Sequence, residues 1–351
     1  MDANSIKIAF FDAKPYDIES FDKVIKDFGF KITYFKNHLT LEPASLTRGF
    51  QVVCVFVNDT VDKGVIEVLV QNDIRLLAVR AAGYNNIDLK TIFQKIHAVR
   101  VPAYSPHAVA EHAVTLMLAL NRKVYRAYYR TRDNDFTLNG LLGFDMHGKT
   151  AGIIGTGKIG KVAMEILKGF GMRVLAYDAF PDKEYQKNAV FEYVDLERLY
   201  RESDIISLHC PLTKETYHLI NETSIAKMKR GVMIINTGRG MLIDSKALIG
   251  GLKTGQVGFA GLDVYEEESD YFFEDFSNKV ITDDVLARLL SFNNVVVTSH
   301  QGFFTQEALQ NIATSTLENI REFFTEQKLP NEICYQCTTG SCPRKTTGKC
   351  F

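Results

Sequence analysis

The 351-residue sequence lacks an excess of charge of either sign: 41 Lys and Arg stand against 42 Asp and Glu, for a formal net charge of −1. A chain so balanced has no field to hold it on a phosphate backbone or an anionic leaflet, so neither nucleic acid nor membrane is an expected partner. A long apolar run is missing too. The longest, residues 113–120, is closed by Asn121, Arg122 and Lys123 and falls far short of the roughly 20 residues of a membrane span. The first residues carry Asp2 where a secretory leader wants positive charge, and the apolar stretch 6–11 is interrupted by Lys7 and stopped by Asp12; a cytoplasmic location is expected. Repeats and low-complexity segments are likewise absent. What is present is an ordinary globular composition, 46% hydrophobic and 24% charged, in a length that suits about two domains.

Short β-rich runs at 6–11, 31–35, 51–57, 74–80 and 97–102 alternate with helical patterns at 18–28, 65–72 and 89–94. Apolar strands separated by helices indicate a parallel sheet covered on both faces. A single long helix is expected from Pro106 to Arg132, with Ser105 as its N-cap. Its first half is apolar nearly all round, so burial between domains or between subunits is expected, and 108–120 suits a subunit interface. A second series follows: strands at 150–155, 172–178, 204–210, 231–237, 257–264 and 293–299, with a helix at 159–170 after the first. The last helix, 306–327, is amphipathic and could return the chain to the first domain.

The strongest local motif is Gly155-Thr-Gly157-Lys-Ile-Gly160, entered from a strand and opening a helix. Its glycines permit a tight turn, close approach of backbone to a pyrophosphate, and close helix–strand packing, with the helix N-terminus facing the phosphates. The next strand ends in Asp178, 18 residues past Gly160. An acid there accepts from both ribose hydroxyls and repels a 2′-phosphate, so the expected cofactor is NAD.

Three more segments each place a reactive side chain straight after a strand, where doubly wound sheets bind ligands. They carry Arg239, then Asp263 with Glu268, then His300. A strand-end Arg offers a fork to a carboxylate, and a His near a carboxylate is a general acid/base of fixed tautomer. Together they describe hydride transfer to a 2-oxo acid. The run Glu266-Glu267-Glu268 leaves open which member is the catalytic acid.

These motifs, in the order AAGYNNID, VPAYSPHAVAEH, GTGKIG, YDAFP, HCPLT, NTGRG, GLDVYE and SHQGF, resemble those of the D-isomer-specific 2-hydroxyacid dehydrogenases over about residues 5–330, and the longer gap between Glu268 and His300 resembles the fermentative, NAD-dependent lactate subgroup. The resemblance implies an α/β chain of two doubly wound parallel-sheet domains, a Rossmann NAD domain (104–300) inserted into a flavodoxin-like substrate domain (1–103 and 301–351), with the site in the cleft. It implies that Arg239 binds the substrate carboxylate, that His300 protonates the carbonyl oxygen, and that Glu268, by the family spacing from Asp263, holds His300. Backbone N–H groups of Ala82 and Gly83 would hold the substrate carboxylate; Tyr104 would touch the substrate, and Phe56 and Phe303 would either wall its methyl or belong to the core. Toward NAD it implies Gly155, Gly157, Lys158, Ile159, Gly160, Asp178, Cys210, Pro211, Thr237, Gly238 and Asp263. The reaction so implied is reduction of pyruvate to D-lactate by a homo-oligomer, dimer or tetramer. Alternatives are a bulkier 2-hydroxy acid, or an NAD(H)-sensing corepressor-like protein of the same fold.

The tail holds Cys334, Cys337, Cys342 and Cys350. A C-x2-C pair with two further cysteines invites a zinc or redox reading. The second pair is badly spaced for a zinc ribbon, so a mobile polar extension without metal is expected.

Overall fold

The computed structural model describes residues 6–188, 191–268, 271–325, 329–338 and 342–351. The chain divides into two compact units, residues 1–105 with 304–351, and residues 106–303. Among the described residues no helix is long and apolar enough to cross a membrane.

The unit built from both chain ends holds strands β1 (Lys7–Phe10), β2 (Lys31–Tyr34), β3 (Val52–Val55), β4 (Leu76–Val79) and β5 (His97–Arg100), with helices α1 (Pro15–Val24), α2 (Lys63–Gln71) and α3 (Leu89–Ile92). The sheet order is β2-β1-β3-β4-β5, every pair parallel, which is the flavodoxin-like order. Alternate strand residues Ile8, Phe10, Val52, Cys54, Leu76 and Ala78 form one core with Ala313, Leu317 and Ile320 of the last long helix, so that helix does return to the first sheet.

The central unit holds α4 (Pro106–Arg122), α5 (Val124–Arg132), β6 (Thr150–Ile154), α6 (Lys158–Gly169), β7 (Arg173–Tyr177), α7 (Lys183–Asn188), β8 (Glu192–Tyr193), α8 (Leu196–Glu202), β9 (Ile205–Leu208), α9 (Glu222–Lys227), β10 (Val232–Asn236), α10 (Ser245–Thr254), β11 (Val257–Leu262), α11 (Asp284–Leu290) and β12 (Val295–Val297). Helices α12 (Gln306–Thr325) and α13 (Arg344–Thr347) belong to the other unit. The order β12-β11-β10-β9-β6-β7-β8, all parallel, reverses direction at β6, as a Rossmann sheet does at its ligand-binding switch point. Because strand side chains alternate, Ile153, Ile205 and Ile235 join the core under α4 and α6, whereas Ile154, Ile206 and Ile234 join the core under α8 to α10.

Two expectations need correcting. The helix from Pro106 does not run unbroken to Arg132: Lys123 adopts φ 50° and separates α4 from α5. The cause lies just before it, where the Asn121 carboxamide exchanges hydrogen bonds with the Phe144 carbonyl (2.8 Å) and amide (2.8 Å) and the Gly143 backbone crowds the Asn121 carbonyl. The apolar side of α4 is buried within its own unit, on α6 and against β10, β11 and β12, with Ala113, Met117 and Leu120 fully buried. The tail is also a correction to the expected loose extension: residues 331–333 run antiparallel beside β5, with Ile333 N–H donating to the Ala98 carbonyl (2.8 Å) and Arg100 N–H to that of Asn331 (3.1 Å).

Candidate active site

The glycine turn between β6 and α6 shows three different needs. Gly155 has φ 97°, and a Cβ on it would lie 2.4 Å from the Cys210 amide nitrogen. Gly160 lies against the Gly155 carbonyl, 2.0 Å from where its Cβ would stand, while a Cβ on Gly157 would meet nothing within 4 Å. The outer two glycines are thus demanded by the fold; the middle one faces open space. Gly157 caps α6 without a side-chain hydrogen bond, so the first amides of that helix, at Lys158 and Ile159, are available to an anion. Asp178 follows β7 and accepts from the Thr156 amide (2.6 Å) and hydroxyl (2.9 Å) and from the Phe180 amide (2.9 Å). Thr156 is in turn bonded to the Tyr193 hydroxyl at 2.8 Å. Sequence reasoning missed both positioning groups. A carboxylate has about four lone-pair sites, so Asp178 keeps acceptor capacity for ribose hydroxyls.

Cys210 and Pro211 follow β9. Burial pushes the Cys210 thiol up to about 11, so it stays protonated and inert, as a half-buried thiol should. Past β10, Thr237 is buried and its hydroxyl has no hydrogen-bond partner among the described residues. A buried hydroxyl left without a partner costs stability, and one at this strand end fits a bound nucleotide. With the open face of Gly157 and the uncapped α6, it makes the residues present suited to NAD.

Arg239 stands in the loop after β10. That loop is pinned by the Asn236 carboxamide, which accepts from the Gly238 amide (3.0 Å) and donates to the Arg239 carbonyl (2.9 Å). The half-buried guanidinium donates to the Gly238 carbonyl (2.7 Å), and among the described residues no carboxylate pairs with it. Gly240 is pressed on the Tyr265 carbonyl, 2.1 Å from its would-be Cβ, which brings the Arg239 loop beside the loop after β11.

The three consecutive glutamates there have different fates. Glu266 is held by the His218 ring (2.6 Å) and the Ser245 amide (2.9 Å), and Glu267 is exposed. Glu268 accepts from the Tyr265 amide (3.0 Å) and lies 3.0 Å from His300 Nδ1. His300 itself has φ 51°, a conformation a non-glycine residue adopts only when its surroundings impose it. The imposing group is Asp263. Its carbonyl accepts from the His300 amide (2.7 Å), and its carboxylate accepts from the Thr298 hydroxyl (2.5 Å) and the Gln301 and Gly302 amides (2.8 Å each). His112 Nε2 lies 3.2 Å away. Burial works to raise Asp263, but these donors outweigh it and leave its pKa lowered. Asp263 is therefore saturated by protein, and His112 and Thr298 are partners the sequence did not reveal. Phe303 is buried, its ring 6.5 Å from that of Phe273, which in turn lies 6.0 Å from the His300 ring.

The remaining candidates belong to the other unit and sit past the carboxyl ends of its strands. Phe56 follows β3 and is buried, with the Arg80 guanidinium 4.9 Å from its ring centre. Ala82 and Gly83 follow β4, the Ala82 carbonyl accepting from Arg100 (2.7 Å). Tyr104 follows β5, its carbonyl accepting from Asn311 (2.7 Å).

Comparison with known proteins follows the same lines. Residues 114–302 match the family described as D-isomer specific 2-hydroxyacid dehydrogenase, NAD binding domain. The chain is 50% identical over 329 residues to the D-lactate dehydrogenase of Escherichia coli K12, spanning 93% of this chain and all of that protein. The structure of Salmonella D-lactate dehydrogenase superposes with a TM-score of 0.84 at 50% identity, covering 93% of this chain and 100% of the other. That of the pyruvate reductase of Chlamydomonas reinhardtii gives 0.89 at 41% identity, covering 94% and 100%. The chain belongs to the D-isomer-specific 2-hydroxyacid dehydrogenases, NAD-dependent oxidoreductases with a Rossmann cofactor domain.

Proposed function

We propose that the protein reduces pyruvate to D-lactate with NADH in a fermentative role in the cytoplasm, the central unit acting as NAD domain (104–300) and the two chain ends (1–103 and 301–351) as substrate domain. The observation that carries the reading is the 3.0 Å pair of His300 Nδ1 with Glu268, one strand end away from an arginine that pairs with no carboxylate among the described residues. When bound, NADH supplies the hydride. The chain supplies the rest. The Arg239 fork grips the substrate carboxylate in two parallel hydrogen bonds and faces the charge that grows on the carbonyl oxygen. The Glu268 carboxylate holds the His300 ring through Nδ1, which leaves Nε2 to carry the proton that the carbonyl oxygen takes. Amides of Ala82 and Gly83 and the Tyr104 side chain complete the grip on the substrate, with Phe56 and Phe303 as apolar wall. The amides of Lys158 and Ile159 take the pyrophosphate, Asp178 the ribose, Cys210 and Pro211 the adenine side, and Thr237 and Gly238 the nicotinamide end. Asp263, assigned to that end, acts there by holding the His300 loop in its strained form.

The size of the substrate follows by analogy from relatives described as D-lactate dehydrogenase and pyruvate reductase. A homo-oligomer is supported by the apolar surface of α5 and the segment after it, where Val124, Tyr129, Phe136, Leu138 and Leu142 are exposed. The test is NADH oxidation with pyruvate, 2-oxoisocaproate, hydroxypyruvate and oxaloacetate, with the chirality of each product determined. Preference for pyruvate giving D-lactate is expected. Preference for a larger acid reassigns the pocket, and NADH binding without turnover of any of the four overturns the assignment of pyruvate as substrate.

A further inference from the structure

The tail carries a feature that the dehydrogenase chemistry does not use. Cys334, Cys337, Cys342 and Cys350 bring their four sulfurs together, each within 4.8 Å of the others. The shortest separations are 3.7 Å for Cys334–Cys337, 3.6 Å for Cys334–Cys342, 3.9 Å for Cys337–Cys350 and 3.3 Å for Cys342–Cys350. Four thiolates at about 2.3 Å from a tetrahedral zinc ion stand ~3.8 Å from one another. The observed quartet has that size, and none of its members is joined in a disulfide.

The surroundings suit a cation. The Cys334 amide donates to Cys337 Sγ at 3.4 Å, and the amides of Gln336 and Arg344 face the Cys334 and Cys342 sulfurs. Amides aimed at sulfur are what stabilises thiolates around a metal. Arg344 and Lys349 lie between the last two cysteines and would offset the net negative charge of a four-thiolate zinc centre. Without a cation the arrangement has little to recommend it: four sulfurs converge with no disulfide among them, and Cys334 and Cys350 are buried beside the fully buried Glu332.

We propose that Cys334, Cys337, Cys342 and Cys350 form a structural zinc site that clasps the tail onto β5. This departs from the sequence expectation of a metal-free extension, which rested on the C-x2-C-x4-C-x7-C spacing; the structure closes both longer gaps so that all four sulfurs converge. The clasp has an evident load. β5 is the edge strand of its sheet, and residues 331–333 cover that edge. Glu332 reaches His97 at 2.5 Å and also accepts from the Cys350 amide, while Phe351 stacks on the His97 ring at 4.2 Å. Zinc would hold both ends of this wrap, with release of the thiol protons on binding. A zinc ion coordinated by all four cysteines leaves no position for substrate, so the role is structural.

The experiment uses the full chain purified under reducing conditions. Metal analysis should give one zinc per chain that survives dialysis, and C337S and C342S should each lower it at least tenfold. Replacing zinc with cobalt(II) should give the intense thiolate-to-metal absorption of a tetrahedral sulfur site. Cysteine alkylation of the native protein should spare these four thiols until a chelator is added. Chelation should also speed exchange of the Arg100 and Ile333 amides while circular dichroism stays unchanged. Iron in place of zinc would overturn the metal assignment. Two disulfides in the native protein, or four thiols alkylated at once in the presence of saturating zinc, would overturn the site.

Discussion

Arg80 and Arg239 occupy similar places, each just past the carboxyl end of an inner strand of a parallel sheet, and their surroundings are opposite. Arg80 is 1% exposed. Its guanidinium lies 4.3 Å from the Phe10 ring and 4.9 Å from the Phe56 ring, donates to the Asp12 carbonyl (2.7 Å) and pairs with Asp17 (3.4 Å). Asp12, Asp17 and Asp59 are all buried with it. Arg239 is half-buried and pairs with no carboxylate among the described residues. One sheet spends its strand-end arginine on neutralising a buried acidic cluster; the other leaves its arginine without a carboxylate partner among the described residues, as the proposed grip on a substrate acid requires. The same side chain on the same architecture becomes structure or chemistry according to whether its partner is built in.

The comparison breaks most visibly by mutation. R80A leaves buried carboxylates without their cation, and removing one partner of a buried pair costs about 3–5 kcal/mol. We expect that loss in denaturant titration, whatever the activity of the remaining folded protein. R239A removes a bidentate contact to the reacting acid; a loss of about 10³-fold in kcat/KM is expected, with unfolding free energy within roughly 0.5 kcal/mol of the parent, as for substitutions away from built-in networks. The two energies are alike in size and appear in different measurements. If R239A unfolds the protein while R80A spares it, the contrast is wrong.

A smaller effect sharpens the picture on the active edge. E268Q keeps the shape of the His300 partner and removes its charge, so reductive turnover should fall about 10- to 100-fold. The loss should fall on kcat and leave unfolding free energy nearly unchanged, because the carboxylate orients the imidazole that delivers the proton. E267Q, at the exposed neighbour, should leave turnover unchanged. Equal turnover for E268Q and the parent would remove Glu268 from the mechanism.

Acid separates the two units in the opposite sense. Burial pushes Asp59 up to about 6, so the folded first unit takes up a proton before the unfolded chain does, and this group adds stability as pH falls from about 6 toward 4. Burial pushes His209 down to about 4, so there the unfolded chain takes the proton first, and stability is lost between about 6.5 and 4. A shift from 6.5 to about 4 makes the His209 effect at most about 3 kcal/mol. Hydrogen exchange between pH 6.5 and 4 should show the β9 region loosening, and H209Q should abolish that slope.

Much of this was legible in the sequence because it is periodic or punctuated. Apolar strands such as 51–57 and 231–237 announce themselves, and Gly155, Gly157 and Gly160 mark their turn. Strand β8 was missed because Glu192 and Tyr193 are two residues with no apolar period, and the break at Lys123 because its cause is Asn121 meeting Phe144, 23 residues on. The choice among Glu266, Glu267 and Glu268 needed His218 and Ser245, far apart in sequence, to claim one of them. Arg80 read as the end of a strand; only the fold surrounds it with acids. The four cysteines were visible, but not that the gaps between them close.

The mildest test concerns Gly157, and it separates what the fold demands from what the ligand demands within a single turn. A Cβ at this position meets no protein atom within 4 Å, and φ is −67°, a value open to any residue. G157A should therefore leave unfolding free energy within about 0.5 kcal/mol of the parent. Its methyl nevertheless stands at the N-terminus of α6, where backbone must approach the pyrophosphate closely, so NADH affinity should weaken about tenfold, a change of about 1.4 kcal/mol. Fluorescence titration of NADH beside a denaturation curve measures both. Weaker binding with unchanged stability places the phosphates over Gly157; unchanged binding would mean that the open face of this turn is not where the nucleotide lies.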